Sequence, residues 1–160
     1  MTLLRRLAAT DLAAFQAYRG DPEVGRWQGW TPGPDDEALA FLNDMATVPL
    51  FQPGQWTQLG IADALTGQLL GDLGVHVSAD GREAEFGFSL ARAAQGRDIA
   101  MVFEQTAAER IHARTDARNT ACIRLLERLG VRLIDRIATE FRGEPCVELR
   151  YELAERREAE

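Results

Sequence analysis

Between Trp56 and Leu90 the apolar residues fall at every second position, and no other part of the chain restricts the fold as strongly. Leu59 and Ile61 alternate with Gln58 and Gly60, and Leu65-Thr66-Gly67-Gln68 turns the chain into Leu69 to Val77. After Asp80-Gly81, the residues Phe86, Phe88 and Leu90 alternate with Glu85, Gly87 and Ser89. A side-chain period of two with short polar turns between the runs is the pattern of strands joined by hairpins. The spacing predicts three antiparallel strands in a meander, and everything else must pack around them.

The flanking segments change period. Leu3 to Leu7 reads as a short strand, after which Thr10 or Asp11 caps a helix with Leu12, Phe15 and Tyr18 on its apolar side. Gly20 to Gly33, with Pro22, Gly25, Gly29 and Pro32, reads as loop. Pro34 suits a first helical turn, Asp35, Asp36 and Glu37 suit a positive helix end, and Leu39, Phe41, Leu42 and Met45 supply the apolar side before Pro49. Ile99, Val102, Phe103 and Thr106 return to helical spacing, and Arg110 to Thr115 to strand alternation. Asn119 is a good N-cap for a helix whose Cys122, Leu125, Leu126 and Leu129 share one face and whose stop is Gly130. Val131 to Phe141 and Cys146 to Leu153 form a closing hairpin around Arg142-Gly143-Glu144-Pro145, followed by a charged tail. This order predicts one α/β domain, more strictly α+β, over residues 1–160.

With 160 residues the chain suits one domain, and a formal net charge of -7 argues against nucleic-acid and anionic-membrane partners. Its two cysteines, Cys122 and Cys146, show neither metal-ligand spacing nor a disulfide framework, so no metal is expected. Two arginines interrupt the first apolar run and no 18-residue apolar stretch follows, so the sequence predicts a cytoplasmic protein without a leader.

The stretches EAEFGFSLARAAQGR and ARTDARNTACIRLLERLGV, with the opening LLRRLAATDLAAFQAYRGDPEV, resemble the GNAT superfamily of acyl-CoA-dependent N-acetyltransferases. Within it they resemble most the Rim-type group that acetylates ribosomal-protein amino termini and related amines. The similarity runs from about Leu3 to Leu153. It implies a GNAT fold, with a mostly antiparallel mixed sheet of about seven strands and about four helices. It also implies acetyl-CoA as co-substrate, a protein amino terminus or small amine as acceptor, and a possible homodimer.

The resemblance assigns cofactor contacts as well. A strand like Glu85 to Leu90 pairs with the pantetheine amides, so Phe88, Ser89 and Leu90 are candidate contacts and their backbone N–H groups are candidates for polarising the thioester carbonyl. Gln95, Gly96 and Arg97 match the start of the pyrophosphate loop Q-x-x-G-x-G/A, where open N–H groups favour an anion, and Asn119 matches the asparagine that holds the cofactor arm. Ala100 matches too, but Asp98 stands at a glycine position, where a carboxylate repels phosphate and a side chain resists positive φ. The stretch from Arg97 to Asn119 is also about nine residues shorter than the resemblance leads one to expect, roughly 13 Å of helix at ~1.5 Å per residue. Either the helix behind the loop is short, or Arg97 and Asp98 are not neighbours in the complete protein. An intact mass equal to that of these 160 residues would establish the first.

Acetyl transfer needs a neutral amine, a polarised carbonyl and a stabilised leaving thiolate. Glu85, opposite in side to Phe86 and Phe88, is the candidate base, with a raised pKa suiting the role, or else a solvated strand carboxylate; His76 is a second candidate base and substrate contact, or else a surface or structural histidine. Cys122 stands where relatives often place Ser as acid to the leaving thiolate; a helix amino terminus would lower its pKa and favour a nucleophile instead, while an apolar filler is the structural alternative. Trp27 and Trp30 either line an acceptor site or cover the core. Arg114, Arg118 and Arg124 are candidates for the cofactor's ribose phosphate, or simply solvated. The competing reading is a non-catalytic ligand- or partner-binding module on the same fold, in which the altered loop no longer holds CoA.

Overall fold

The computed structural model describes residues 1–94 and 110–154. The alternating segments form the expected meander: β2 (Trp56–Asp63), β3 (Leu69–Val77) and β4 (Glu83–Leu90) pair antiparallel in chain order, with β1 (Thr2–Arg6) antiparallel on the outer side of β2. β5 (Arg110–Asp116) joins β4 in parallel, and β6 (Arg132–Phe141) with β7 (Glu144–Ala154) makes the closing hairpin. The seven-stranded sheet has the order β1-β2-β3-β4-β5-β7-β6, so β7 is inserted beside β5 and β6 lies at the edge. Arg142 and Gly143 both take positive φ, 53° and 79°, as a two-residue turn matched to strand twist requires.

Four α-helices are present among the described residues: α1 (Leu12–Arg19), α2 (Pro22–Gly25), α3 (Asp35–Thr47) and α4 (Thr120–Arg128). The segment Gly20 to Gly33 is therefore not all loop. Asp21 accepts the Glu23 N–H at 3.0 Å and Pro22 fills the first helical position, which is enough for one turn. Asp11 is the residue that ties down the entry to α1, accepting the Ala8 N–H at 2.9 Å and both terminal nitrogens of Arg5 at 2.7 and 2.8 Å.

The two faces of the sheet carry different cores. On one, Leu7, Phe15, Tyr18, Val24, Ala38 and Leu42 pack α1, α2 and α3 together. On the other, Ile61, Leu73, Val75, Phe86, Leu90 and Ile111 pack with Leu125 of α4, and Ala113, Leu126, Leu149 and Tyr151 extend that layer. Asp72 of β3 is fully buried among these apolar residues. Its carboxylate accepts from the Tyr18 hydroxyl, from Gln58 Nε2 at 2.6 Å and from Arg19 at 3.3 Å, which satisfies a charge that burial would otherwise make very costly.

Candidate active site

β4 treats its two neighbours differently. Against β3 it is paired from Ala84 to Leu90, seven residues in register. Against β5 the pairing covers only Glu83 to Phe86 and ends at Phe86↔Ala113. Beyond that point the two strands part, and a cleft of about 1000 Å³ opens between them. Gly87, Phe88, Ser89 and Leu90 line it on one side, Asn119 and Cys122 on the other, and Trp27 and Gln28 of the α2–α3 connection close over it. Along β4 the hydrogen-bonding side alternates: the Glu83 carbonyl and the Ala91 N–H face β3, so the Phe88 peptide groups face the gap. The Phe88 carbonyl accepts from Gln28 Nε2 at 3.1 Å.

Asn119 does what its N-cap spacing requires. Its Oδ1 accepts the Cys122 N–H at 3.2 Å, fixing the first turn of α4 against the cleft. Gly130, at φ 75°, ends the helix. The Cys122 thiol faces Thr115, itself buried, and burial pushes the thiol's pKa up, the Thr115 hydroxyl only partly offsetting it. That corrects the expectation of a depressed value: the loss of solvent around sulfur outweighs the helix end, and Cys122 is a protonated thiol near neutral pH.

The carboxylate of Glu85 and the ring of His76 face away from Phe86 and Phe88. They line a second hollow of about 370 Å³ with Glu83 and His112, and among the described residues Arg114 is common to both cavities. Glu85 Oε1 accepts from Arg114 Nε at 2.8 Å and pairs also with its NH2 group. The His76 ring lies 5.2 Å from that of Trp56. Glu85 and His76 are thus brought together, as cross-strand partners, but on the opposite side of the sheet from the residues that frame Cys122.

The tryptophans separate. Trp27 lines the cleft, with the guanidinium carbons of Arg26 and Arg118 at 4.7 and 5.2 Å from its ring. Trp30 does not line it; it packs on the α1–α3 core with Arg19 4.6 Å from its ring, so its role is the core-covering one. Gln95, Gly96 and Arg97 lie outside the described residues, as do Asp98 and Ala100.

Two contributors had no sequence signal. Gln28 sits in a segment without periodicity, and Arg142 was legible only as a turn residue. Arg142 donates to the carbonyls of Gln28 and Trp30 at 2.7 and 2.8 Å, so the β6–β7 turn anchors the loop that closes the cleft. Among the described residues no group of three or more His, Cys, Asp or Glu side chains is placed to hold a metal ion, and no helix is long and apolar enough to cross a membrane.

Residues 2–132 match the family described as an acetyltransferase (GNAT) domain. No curated protein matches the chain. Among solved structures, the chain is similar to a RimL ribosomal L7/L12 alpha-N-protein acetyltransferase in complex with coenzyme A, with a TM-score of 0.80 at 15% identity over 96% of this chain and 93% of that one. It is similar to a spermidine N-acetyltransferase from Vibrio cholerae in complex with CoA and spermine (TM-score 0.75, 19% identity, 95% and 94% covered). A GNAT-family acetyltransferase from Bacillus anthracis gives 0.77 at 17% identity, with 96% and 94% covered. At these identities the structural likenesses establish the shared fold.

Proposed function

The chain belongs to the GNAT acetyltransferase family, and from that premise we propose that it transfers an acetyl group from acetyl-CoA to a primary amine, a protein amino terminus or a small amine, by direct attack within a ternary complex. The observation that carries this reading is the parting of β4 from β5 after Phe86 and Ala113, with the Asn119-capped start of α4 facing the gap. An extended arm bearing amides fits beside a strand whose outward peptide groups have lost their neighbouring strand. The residues present fit acetyl-CoA: the gap exposes the Phe88 edge of β4, and arginines line the same cleft.

Bound there, acetyl-CoA supplies an activated acyl thioester. This chain supplies the rest. Phe88, Ser89 and Leu90 form the strand edge that orients the arm, and Asn119 fixes the turn carrying Cys122. Cys122, kept protonated by burial, is the donor that meets the leaving thiolate, not the nucleophile. Glu85 is the base: Arg114 holds Oε1 and orients the carboxylate, leaving Oε2 to take the proton of the incoming amine. The hollow beside Glu85 and His76 is the side from which the acceptor approaches, while Trp27 and Gln28 cover the gap. The acceptor's charge is positive before it reacts, which suits a chain of net charge -7. The matched neighbours are acetyltransferases, and the alternative of a non-catalytic binding module finds no support in them.

The test is an acetyl-CoA thiol-release assay over a panel of amino-terminal peptides and polyamines, read beside the Glu85→Gln variant. Turnover with at least one amine, lost in the variant while CoA binding persists, is the expected outcome. A folded protein that binds acetyl-CoA but turns over no amine would contradict the acceptor assignment.

A further inference from the structure

Residues 26–30, between α2 and α3, form a strap whose two ends and middle are held differently. Val24 before it and Trp30 at its end are set in the core that α1, α2 and α3 share. Between them the strap reaches the cleft. Gln28 Nε2 donates to the Phe88 carbonyl at 3.1 Å on the β4 wall, and the Trp27 ring lies 5.2 Å from the guanidinium carbon of Arg118, just ahead of α4 on the opposite wall. Trp27 and Gln28 are half-buried and both line the cleft, so the strap crosses the gap from wall to wall. From outside, Arg142 of the β6–β7 turn donates to the carbonyls of Gln28 and Trp30 at 2.7 and 2.8 Å. One hydrogen bond and one cation–ring contact are weak ties beside the packed ends, and such a segment opens locally at little cost.

The chemistry of the Gln28 contact is particular. Phe88 lies two residues past the last β4–β5 pair, Phe86↔Ala113, and its peptide groups face the gap. A glutamine side chain ends in a carboxamide, whose N–H donates to a backbone carbonyl as the N–H of a ligand amide does. Gln28 therefore takes the acceptor that the cofactor reading gives to the amide-bearing arm of acetyl-CoA. A carbonyl has two lone pairs, but the Gln28 side chain itself fills the gap side of this one, so arm and side chain compete for the same space.

We infer that residues 26–30 are an autoinhibitory strap: the Gln28 carboxamide stands in for a ligand amide on Phe88, and acetyl-CoA binds once the strap has lifted from β4, with Arg142 holding it down. This rests on the cofactor reading above. The apparent affinity for CoA is then lowered by the fraction of molecules in which the strap is closed, and the Phe88 carbonyl exchanges one amide for another on binding.

Calorimetry and stopped-flow binding of CoA to the wild type, Q28M and R142Q test it, with thermal melts to show that each is folded. Methionine keeps the length of the Gln28 side chain and removes its amide. Q28M should bind CoA about two- to tenfold tighter, the worth of one net hydrogen bond, through faster association with dissociation nearly unchanged. R142Q should shift the affinity in the same direction by less. A contact that merely shapes the site gives the opposite sign, since its removal weakens binding. Unchanged or weaker CoA binding by folded Q28M, beside a wild type that binds, overturns the strap and leaves the cofactor reading standing. Absence of CoA binding in the wild type and both variants, all folded, overturns both. Should Q28M not fold, R142Q decides by the same signs.

Discussion

The two edges of β4 are made from the same eight residues and serve different ends. Toward β3, seven consecutive residues are paired and the neighbouring strand buries a carboxylate that accepts from Tyr18, Arg19 and Gln58. Toward β5, pairing stops after four residues and a side chain from elsewhere, Gln28, meets the Phe88 carbonyl. One edge is held by strand pairing along its length; the other leaves its strand partner at Phe86 and is met there by a side chain from a neighbouring loop. A strand's own alternation cannot distinguish these cases, because both edges use the same backbone.

Substitutions on the two sides should separate that difference. The largest stability effect is expected on the β3 side: Asp72→Ala leaves Arg19 without its buried partner, and chemical denaturation should show a loss of about 3–5 kcal/mol. On the gap side the largest effect should be on rate. Glu85→Gln should lower kcat by at least about 10²-fold, about 2.7 kcal/mol of barrier, with CoA affinity and melting temperature close to wild type. Asn119→Ala removes the cap of α4 and should cost about 1 kcal/mol in the same denaturation experiment, together with weaker CoA binding. Gln28→Ala, which frees a carbonyl that water can reach, should cost under about 1 kcal/mol; a loss as large as that of Asp72→Ala would erase the distinction between the two edges.

A smaller, pH-dependent contrast lies at the entry to α1. Burial raises the Asp11 pKa, but the Arg5 guanidinium and the Ala8 N–H outweigh it and hold the carboxyl below its ordinary value. The folded state therefore favours the ionised form, and the stabilisation is present above the unfolded pKa of about 3.9 and lost as pH falls through the lower folded value. Denaturation of wild type and Asp11→Asn should converge in acid. Convergence in alkali instead would show that the ion pair with Arg5 does not govern this end.

Much of the architecture was legible because it depends on local signals. Period-two runs with Gly67, Gly81 and Gly143 at their turns, Asn119 before the apolar face of α4 and Gly130 after it placed strands and helix nearly residue by residue. The one-turn helix at Pro22 was missed because four residues are too few to show a period, and only the Asp21 cap reveals it. Among site residues, sequence spacing brought Asn119 and Cys122 together because both belong to one helix start. Of the two environments that spacing left open for the thiol, the apolar one holds, since Cys122 packs against the layer of Ala113, Leu149 and Tyr151. Trp27 and Trp30 are three residues apart yet face cleft and core respectively, a difference set by a loop that Arg142 anchors from more than a hundred residues away.

The central claim is that the edge of β4 beyond the end of its pairing with β5 is the acetyl-CoA site. The most direct measurement is a backbone amide NMR titration of the folded chain with CoA. The account predicts saturable shifts at Gly87 to Leu90 and at Asn119 to Cys122, with slowed hydrogen exchange at the Phe88 amide and little change at the paired residues of β3. Absence of saturable binding, or shifts confined to residues outside the gap, would contradict it.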